Sequence, residues 1–318
     1  MTKYNIGIDL GGTKILACII QKSDRKVLFE VKKKTKKDKG NEKILSKIFE
    51  TLDELFKISK IKKDEIGLIS IASAGQIDKE NGILIDSSNL ECQNLEIKKN
   101  LEERYNVKTY ILNDVEASTI GELMIGSAQK CNSAVCIFIG TGIGSAIVIN
   151  RKIYNGQGFA GEIGHTIVQQ YGKACACGAE GCLEAYASRS AIEKNIKNAI
   201  KKGRKSLIQD FCDLNNISTK HIKMALDGLD SVVCQAVEEA EEFLSTGIAN
   251  VINFLNPELI ILGGGLIQGI DEIYNKTIYL AKNKALKTSV QLTEFKKAKL
   301  EDYSGVLGAS LIEEYNNA

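Results

Sequence analysis

Short apolar runs alternate along the chain with stretches in which apolar residues recur every three or four positions. YNIGIDL and ILACIIQ read as strands, VLFEVKKKT follows, and a helical pattern runs from Glu42 to Ile58. DEIGLISIAS and GILIDSS read as further strands, LEIKKNLEERY as a helix and VKTYILND as a strand. A second series begins near Asn132, where SAVCIFIGTGIGSAIVINRKIY predicts two strands joined by a glycine-rich turn. Helical patterns dominate from Glu184 to Phe254; ELIILGGG is a later buried strand, and DEIYNKTIYLAKNKAL and VLGASLIEEY are helices. Strand–helix alternation of this kind predicts an α/β protein. IGIDLGGTKILACII and CIFIGTGIGSAIVI share one grammar of strand, glycine turn with threonine, and strand. Two similar lobes on continuous chain are therefore expected, with Pro257 as the single proline and no low-complexity linker between them.

At 318 residues the chain is long enough for two domains with a substantial core. A net charge of +2 is too close to neutral to point to nucleic acid as the main partner. The basic run Lys32–Lys39 has no interleaved aromatic residues and reads as a solvated strand end or loop. The N-terminus lacks a signal peptide's apolar core, no apolar run could span a bilayer, and nine cysteines without a secretory signal fit a reducing cytoplasm. Six cysteines, at 18, 92, 131, 136, 212 and 234, are scattered and read as core or surface thiols, and His221 reads as an exposed helix residue. The other three cysteines crowd into GEIGHTIVQQYGKACACGAEGCLE.

Three glycine turns each end an apolar strand. In DLGGTK, Gly11 and Gly12 permit positive φ and close backbone approach, so that amides can converge on a phosphate. Thr13 adds a hydroxyl, Lys14 a charge, and Asp9 could hold magnesium through water. A tight hairpin with nothing bound is the alternative. Gly140, Thr141, Gly142 and Gly144 form a second turn that matches neither the dinucleotide fingerprint nor the Walker pattern. Gly263, Gly264 and Gly265 form a third. Together the three point to a bound nucleotide.

DLGGTK, Asn113-Asp114, GTGIG, GEIGH, CACGAEGC and LGGG, in that order from about Ile6 to Ala309, resemble the ROK family of sugar kinases and sugar-responsive repressors. The resemblance implies a two-lobed α/β fold like actin, hexokinase and Hsp70, of the ribonuclease H-like kind, closing on ATP in a nucleotide cleft. The expected division is a small N-terminal lobe over 1–116, onto which a C-terminal helix of about 305–318 packs, and a larger lobe over 117–304 with a zinc loop and dimerisation helices. By the same resemblance the turns at 11–14 and 140–144 hold phosphates, and glycines 263–265 lie by the adenosine.

For Asp114 the residues alone leave two readings, helix N-cap or cleft-facing acid. The resemblance makes it the catalytic base that takes a proton from a sugar hydroxyl during phosphoryl transfer. The family's NDxN-like pattern has Glu116 in its last place here. His165, Cys175, Cys177 and Cys182 offer three sulfurs and an imidazole, a donor set zinc prefers, against the alternative of four unrelated loop residues. Four protein ligands leave no position for water, so such a zinc is structural. The resemblance further implies that His165, Glu162, Glu184, Asn89, Asn113 and the Gly75 turn bind the sugar. A surface acid at 162 and an N-terminal helix charge at 184 are the alternatives.

The expected activity is ATP- and Mg²⁺-dependent phosphorylation of the 6-hydroxyl of an aldohexose, glucose first. N-acetylmannosamine or another N-acetylhexosamine is the alternative substrate. A sugar-responsive repressor is disfavoured, because the first turn starts at residue 9 and no DNA-binding domain is expected before it. Expected partners are ATP and a sugar, with no nucleic acid and no membrane, and a homodimer or higher homo-oligomer.

Overall fold

A computed structural model describes residues 2–35 and 39–318, so that Lys36, Lys37 and Asp38 of the basic run lie outside the described residues. Among the described residues no helix is long and apolar enough to cross a membrane. The chain forms two compact units: residues 1–129 with 302–318, and residues 130–301.

In the first unit β1 (Tyr4–Leu10), β2 (Lys14–Gln21) and β3 (Val27–Lys34) form an antiparallel meander. Beyond them β4 (Ile66–Ser73) and β8 (Thr109–Asn113) run parallel to β1, giving the order β3-β2-β1-β4-β8. The short strands β5 (Gln76–Asp78), β6 (Ile83–Ser87) and β7 (Cys92–Leu95) make a separate antiparallel sheet. β1, β2 and β4 are almost wholly buried, which explains their unbroken apolar runs. Helix α1 (Asn41–Ser59) buries Ile44, Ile48, Thr51, Leu52 and Leu55, one face at helical spacing, and ends where Lys60 turns left-handed at φ 58°. Helix α2 (Ile97–Tyr105) precedes β8, and α3 (Asp114–Met124) follows it.

The C-terminal helix Ser304–Ser310 is buried throughout and packs on β1, β4 and α3. A Cβ on Gly308 would strike the Ala117 carbonyl, and one on Gly7 would strike that of Val306. Backbone therefore lies directly on backbone here, and α3 belongs whole to the first unit as far as Gln129.

The second unit repeats the plan. β9 (Ala134–Ile139), β10 (Ile143–Ile149) and β11 (Lys152–Tyr154) form the meander; β12 (Leu259–Gly263) and β13 (Glu294–Lys297) run parallel to β9, giving β11-β10-β9-β12-β13. The similarity between the two glycine-turn segments thus extends to strand order and direction. The predicted helical region divides into α4 (Glu184–Ala187), α5 (Arg189–Lys201), α6 (Ile208–Phe211), α7 (Thr219–Asp227) and α8 (Ser231–Leu255). Polar caps make the divisions: Ser188 accepts from the Ala191 amide, Ser218 from His221, and Asp230 from Val232 and Val233. His221 is therefore not a plain exposed helix residue. It is partly buried, and its Nδ1 accepts from the Ser218 amide in a reciprocal cap. The short helix α9 (Gly265–Gly269) and then α10 (Asp271–Lys284) follow β12. Strands β5, β7, β11 and β13 were missed by the apolar pattern, being only three or four residues long and half exposed.

Gly308→Ala should destabilise the protein by about 2 kcal/mol, the overpacking cost less the helix propensity gained. Denaturant melts of the two proteins measure this, and equal midpoints would contradict the packing account.

Candidate functional site

In the first unit, strand register gathers the sequence-predicted residues. Asp9 pairs with Ala72 across β1 and β4, Leu10 with Ser73, and Ser73 with Asn113 across β4 and β8. The C-terminal ends of three parallel strands thus form one edge, where α/β folds bind ligands. It carries Asp9, the Gly11–Lys14 turn, Gly75 just past β4, Asn113 at the end of β8 and Asp114 just past it.

The turn is set by the bond from the Gly11 amide to the Lys14 carbonyl (2.9 Å), and Thr35 clasps it by donating to the Gly11 carbonyl (2.6 Å). Neither Gly11 nor Gly12 has positive φ. Crowding decides Gly12 instead: its Cβ would lie 3.0 Å from the Asn89 carbonyl oxygen, so Asn89 sits against the turn. The Asn89 carbonyl also accepts from Lys39. Gly75 does need glycine, at φ 133° with the Asp86 carbonyl occupying the place of a Cβ. The exposed Thr13 offers its hydroxyl to solvent, and Lys14 pairs with Asp302 at 3.2 Å.

The two readings of Asp114 separate at its neighbour. Asn113 caps α3, its side-chain oxygen accepting from the Val115 (2.9 Å) and Glu116 (3.3 Å) amides. Asp114 is the first helical residue, and its carboxylate also accepts from the Val115 amide at 3.0 Å. Glu116, the departure from the family pattern, forms a 2.7 Å ion pair with Lys79. The Asp9 carboxyl is pushed up to about 6, chiefly by burial and then by the Asp114 charge, with Lys14 opposing both. Two neighbouring carboxylates, one of them starved of solvent, fit a hard divalent cation such as Mg²⁺.

The second unit holds two groups. At the ends of parallel β9 and β12 lie the Gly140–Gly144 turn and glycines 263–265. Gly264 is at φ 86° with Ile139 backbone where a Cβ would go, and Gly263 lies against the Phe138 ring. Gly140 and Gly265 have nothing within 4 Å of a Cβ position, so both leave room for close approach, although the Gly140 amide is itself taken by the Gly142 carbonyl at 2.9 Å. Gly144 lies within β10, paired with Phe138. Glu184 begins α4, and its carboxylate accepts from the Ile143 amide at 2.8 Å.

The other group is the cysteine loop. The donor atoms of His165, Cys175, Cys177 and Cys182 all lie within 4.8 Å of one another. Cys177 and Cys182 sulfurs are 3.6 Å apart, and the Cys175 sulfur is 3.8 Å from His165 Nδ1. Donors around a tetrahedral zinc stand roughly 3.3–3.8 Å apart, so the set suits a metal such as Zn²⁺. Gly178 (φ 92°) and Gly181 (φ 84°) turn the chain back on itself, and bridges pair Ile167 with Cys182 and Ala174 with Glu180. The Ala179 amide, then Cys175, lower the Cys177 thiol to about 7, whereas burial and then Cys177 push Cys182 up to about 12. His165 presents Nδ1 to the sulfurs and is itself exposed, as is Glu162 three residues earlier. Lys173 anchors the loop to α8 through a 2.6 Å ion pair with Glu239.

The residues 5–315 match the model of the ROK family. The chain is a member of the ROK family. It is 30% identical to a glucokinase of Thermotoga maritima, over 96% of each chain. It is also 30% identical to a xylose repressor of Caldicellulosiruptor bescii, over 95% of this chain and 76% of the repressor. Among solved structures, a ROK glucokinase from Streptomyces griseus in complex with glucose and AMPPNP superposes with a TM-score of 0.78 at 26% identity, covering 97% of this chain and 98% of that one. A ROK transcriptional regulator, a homologue of the Escherichia coli MLC protein, gives 0.85 at 25% identity over 98% of this chain and 78% of its own. The ROK chain thus has an α/β fold resembling actin, hexokinase and Hsp70, with mixed sheets flanked by helices, and is homologous to bacterial sugar kinases and related regulators. Sequence reasoning missed Lys79, Asp302 and Arg189; each carries a charge but sits outside any motif.

Asp9 also fixes a pH dependence. Its carboxyl is raised from the usual 3.8 when folded, so ionising it opposes folding: the penalty is absent below about pH 3.8 and complete once the pH has risen through about 6. In metal-free buffer Asp9→Asn should therefore gain on the parent by about 3 kcal/mol between pH 3.5 and 7.5. Denaturation at both pH values reads this, and a constant difference would contradict it.

Proposed function

We propose that this ROK protein is an ATP-dependent sugar kinase that phosphorylates the 6-hydroxyl of an aldohexose, with glucose as the preferred substrate. The observation that carries the reading is the pair Asp9 and Asp114 at one strand edge beside a glycine turn, with Asn113 taking the capping role that would otherwise account for residue 114. The two-chain-long match to a glucokinase supports the choice of sugar.

A sugar alcohol is a weak nucleophile and phosphoryl transfer demands little covalent chemistry, so positioning and charge account for most of the rate. Asp114 accepts the proton of the primary hydroxyl as that oxygen attacks the γ-phosphorus, and the bond from the γ-phosphorus to the β–γ bridging oxygen breaks so that ADP leaves. Asp9 would hold Mg²⁺, which when bound neutralises triphosphate charge. The amides and hydroxyls of the turns at 11–14 and 140–144 receive phosphate oxygens, and glycines 263–265 lie beside the adenosine. Gly75, Asn89, Asn113, Glu162, His165 and Glu184 bind the sugar. Zn²⁺ on His165, Cys175, Cys177 and Cys182 would be structural, fixing the imidazole so that Nε2 can meet a sugar hydroxyl.

A sugar-responsive regulator is the second reading, favoured by the 0.85 superposition on a ROK regulator and the 30% identity to a xylose repressor. An ADP-release screen over glucose, mannose, fructose, N-acetylglucosamine and N-acetylmannosamine tests the kinase reading. Glucose turnover supports it, turnover of an N-acetylhexosamine alone changes the substrate, and no turnover with any of them overturns it.

Asp114→Ala should lower kcat by about 10²-fold or more while sugar affinity survives; near-parental turnover would remove Asp114 from the base role. Metal analysis should find one zinc per chain, and Cys177→Ser should lose it together with sugar affinity. Unchanged sugar binding in a zinc-free variant would disprove that role for the metal.

A further inference from the structure

The Gly140–Gly142 turn is held by a residue that no motif identified. Arg189, the first residue of α5, donates its amide to the Gly140 carbonyl (2.9 Å) and its Nη2 to Thr141 Oγ1 (3.1 Å). Nη1 reaches the Glu193 carboxylate and the Ile217 carbonyl (3.3 Å), which fixes the guanidinium while a quarter of the side chain, 27%, stays exposed. On the far side of the turn Glu184 receives the Ile143 amide. The turn is thus clasped at both ends, by residues five apart in sequence.

Two features suggest more than packing. A cation in the first turn of a thirteen-residue helix opposes the helix dipole, so this position has a local cost that Glu193, one turn on, only partly offsets. Guanidinium is also a donor with no acceptor capacity. When Arg189 donates to Thr141, the threonine oxygen must accept, and its single proton is left to donate elsewhere. Thr141 is exposed, and beyond its chain neighbours the adjoining Gly140 has no atom within 4 Å of a Cβ position, so a ligand has access to this turn.

We propose that Arg189 is a positioning residue for the nucleotide: it fixes the Thr141 hydroxyl as a donor to a phosphate oxygen and holds the turn's amides in place. This rests on reading the turn as a phosphate site. It goes further in assigning the orientation of Thr141 to one side chain and in separating nucleotide from sugar affinity.

The test uses the full-length protein, Arg189→Ala, Arg189→Lys, Thr141→Val and the Arg189→Ala/Thr141→Val double variant, with MgATP and glucose titrated separately by calorimetry. Arg189→Ala and Thr141→Val should each weaken MgATP by about tenfold with glucose affinity within about twofold. The double variant should be no more than about threefold worse than the weaker single, because both remove one interaction. Arg189→Lys, which keeps a donor and the Glu193 pair but not the fork, should recover part of the loss. In Arg189→Ala the steady-state KM for ATP should rise by more than kcat falls. Unaltered MgATP affinity in Arg189→Ala, additive losses near a hundredfold in the double variant, or a matching fall in glucose affinity in Arg189→Lys would each overturn the proposal. If the parent itself binds no MgATP, the phosphate-site reading fails and takes this proposal with it; if the parent binds and the variants match it, only Arg189's role fails.

Discussion

Backbone packed against backbone, with no side chain between, is the constraint on which both units depend. The Ser304–Ser310 helix can reach β1 and α3 only because positions 7 and 308 lack a Cβ. In the second unit Gly161 and Gly164 let the segment bearing Glu162 and His165 lie on β10, Gly181 lets the cysteine loop close on Gln169, and Gly264 seats the end of β12 on Ile139. Removing side chains from these contacts sacrifices apolar burial and chain stiffness. In return the functional groups stand on strand ends and short turns whose positions are fixed by rigid sheet, not by long loops.

Much of this was legible along the chain, and the reason lies in burial. β1, β2, β4, β9 and β12 are enclosed on both faces, so their sequences are unbroken apolar runs that composition alone reveals. The cysteine loop was legible because four metal-type donors within eighteen residues have few other uses. Harder to see was why the glycines are there. Positive φ and close approach leave the same letter in the sequence, and for Gly11, Gly12, Gly140 and Gly142 the structure shows no positive φ. Neither could the sequence say which of Asn113 and Asp114 caps α3, since both residue types suit that position. Short half-exposed strands such as β13, and a lone arginine such as Arg189, have no periodicity or motif to mark them.

The repeated plan of the two units shows how much of the site is architecture. In each, an antiparallel hairpin places a glycine turn at one sheet edge, and a parallel strand ends beside it. What differs is the charge added at that edge. The first unit supplies carboxylates, Asp9 and Asp114, with Lys14 turned to Asp302. Its counterpart supplies a glycine turn with room beside Gly140 and an arginine-braced hydroxyl. A fold-level likeness is silent on that asymmetry, and the proposed kinase chemistry would need it, since a base and a cation site belong with acids and a phosphate site with donors.

Glu184 ties these parts of the second unit together. One carboxylate oxygen accepts from the Ile143 amide, so that oxygen serves the glycine turn and its partner remains for another donor. Cys182 lies two residues before it, buried and bridged to Ile167, and Arg189 lies five after it on the same turn. The segment from Cys182 to Arg189 therefore runs from the metal-type cluster to the hairpin with no flexible stretch between, α4 being packed against α8 through Leu183 and Gly247. Any shift of the cysteine loop must reach the turn through that short rigid path. On this geometry the loop acts as the foundation for residue 184 and for the Ile143 amide it holds, and a metal bound there would be structural in the strict sense that it sets where other groups stand.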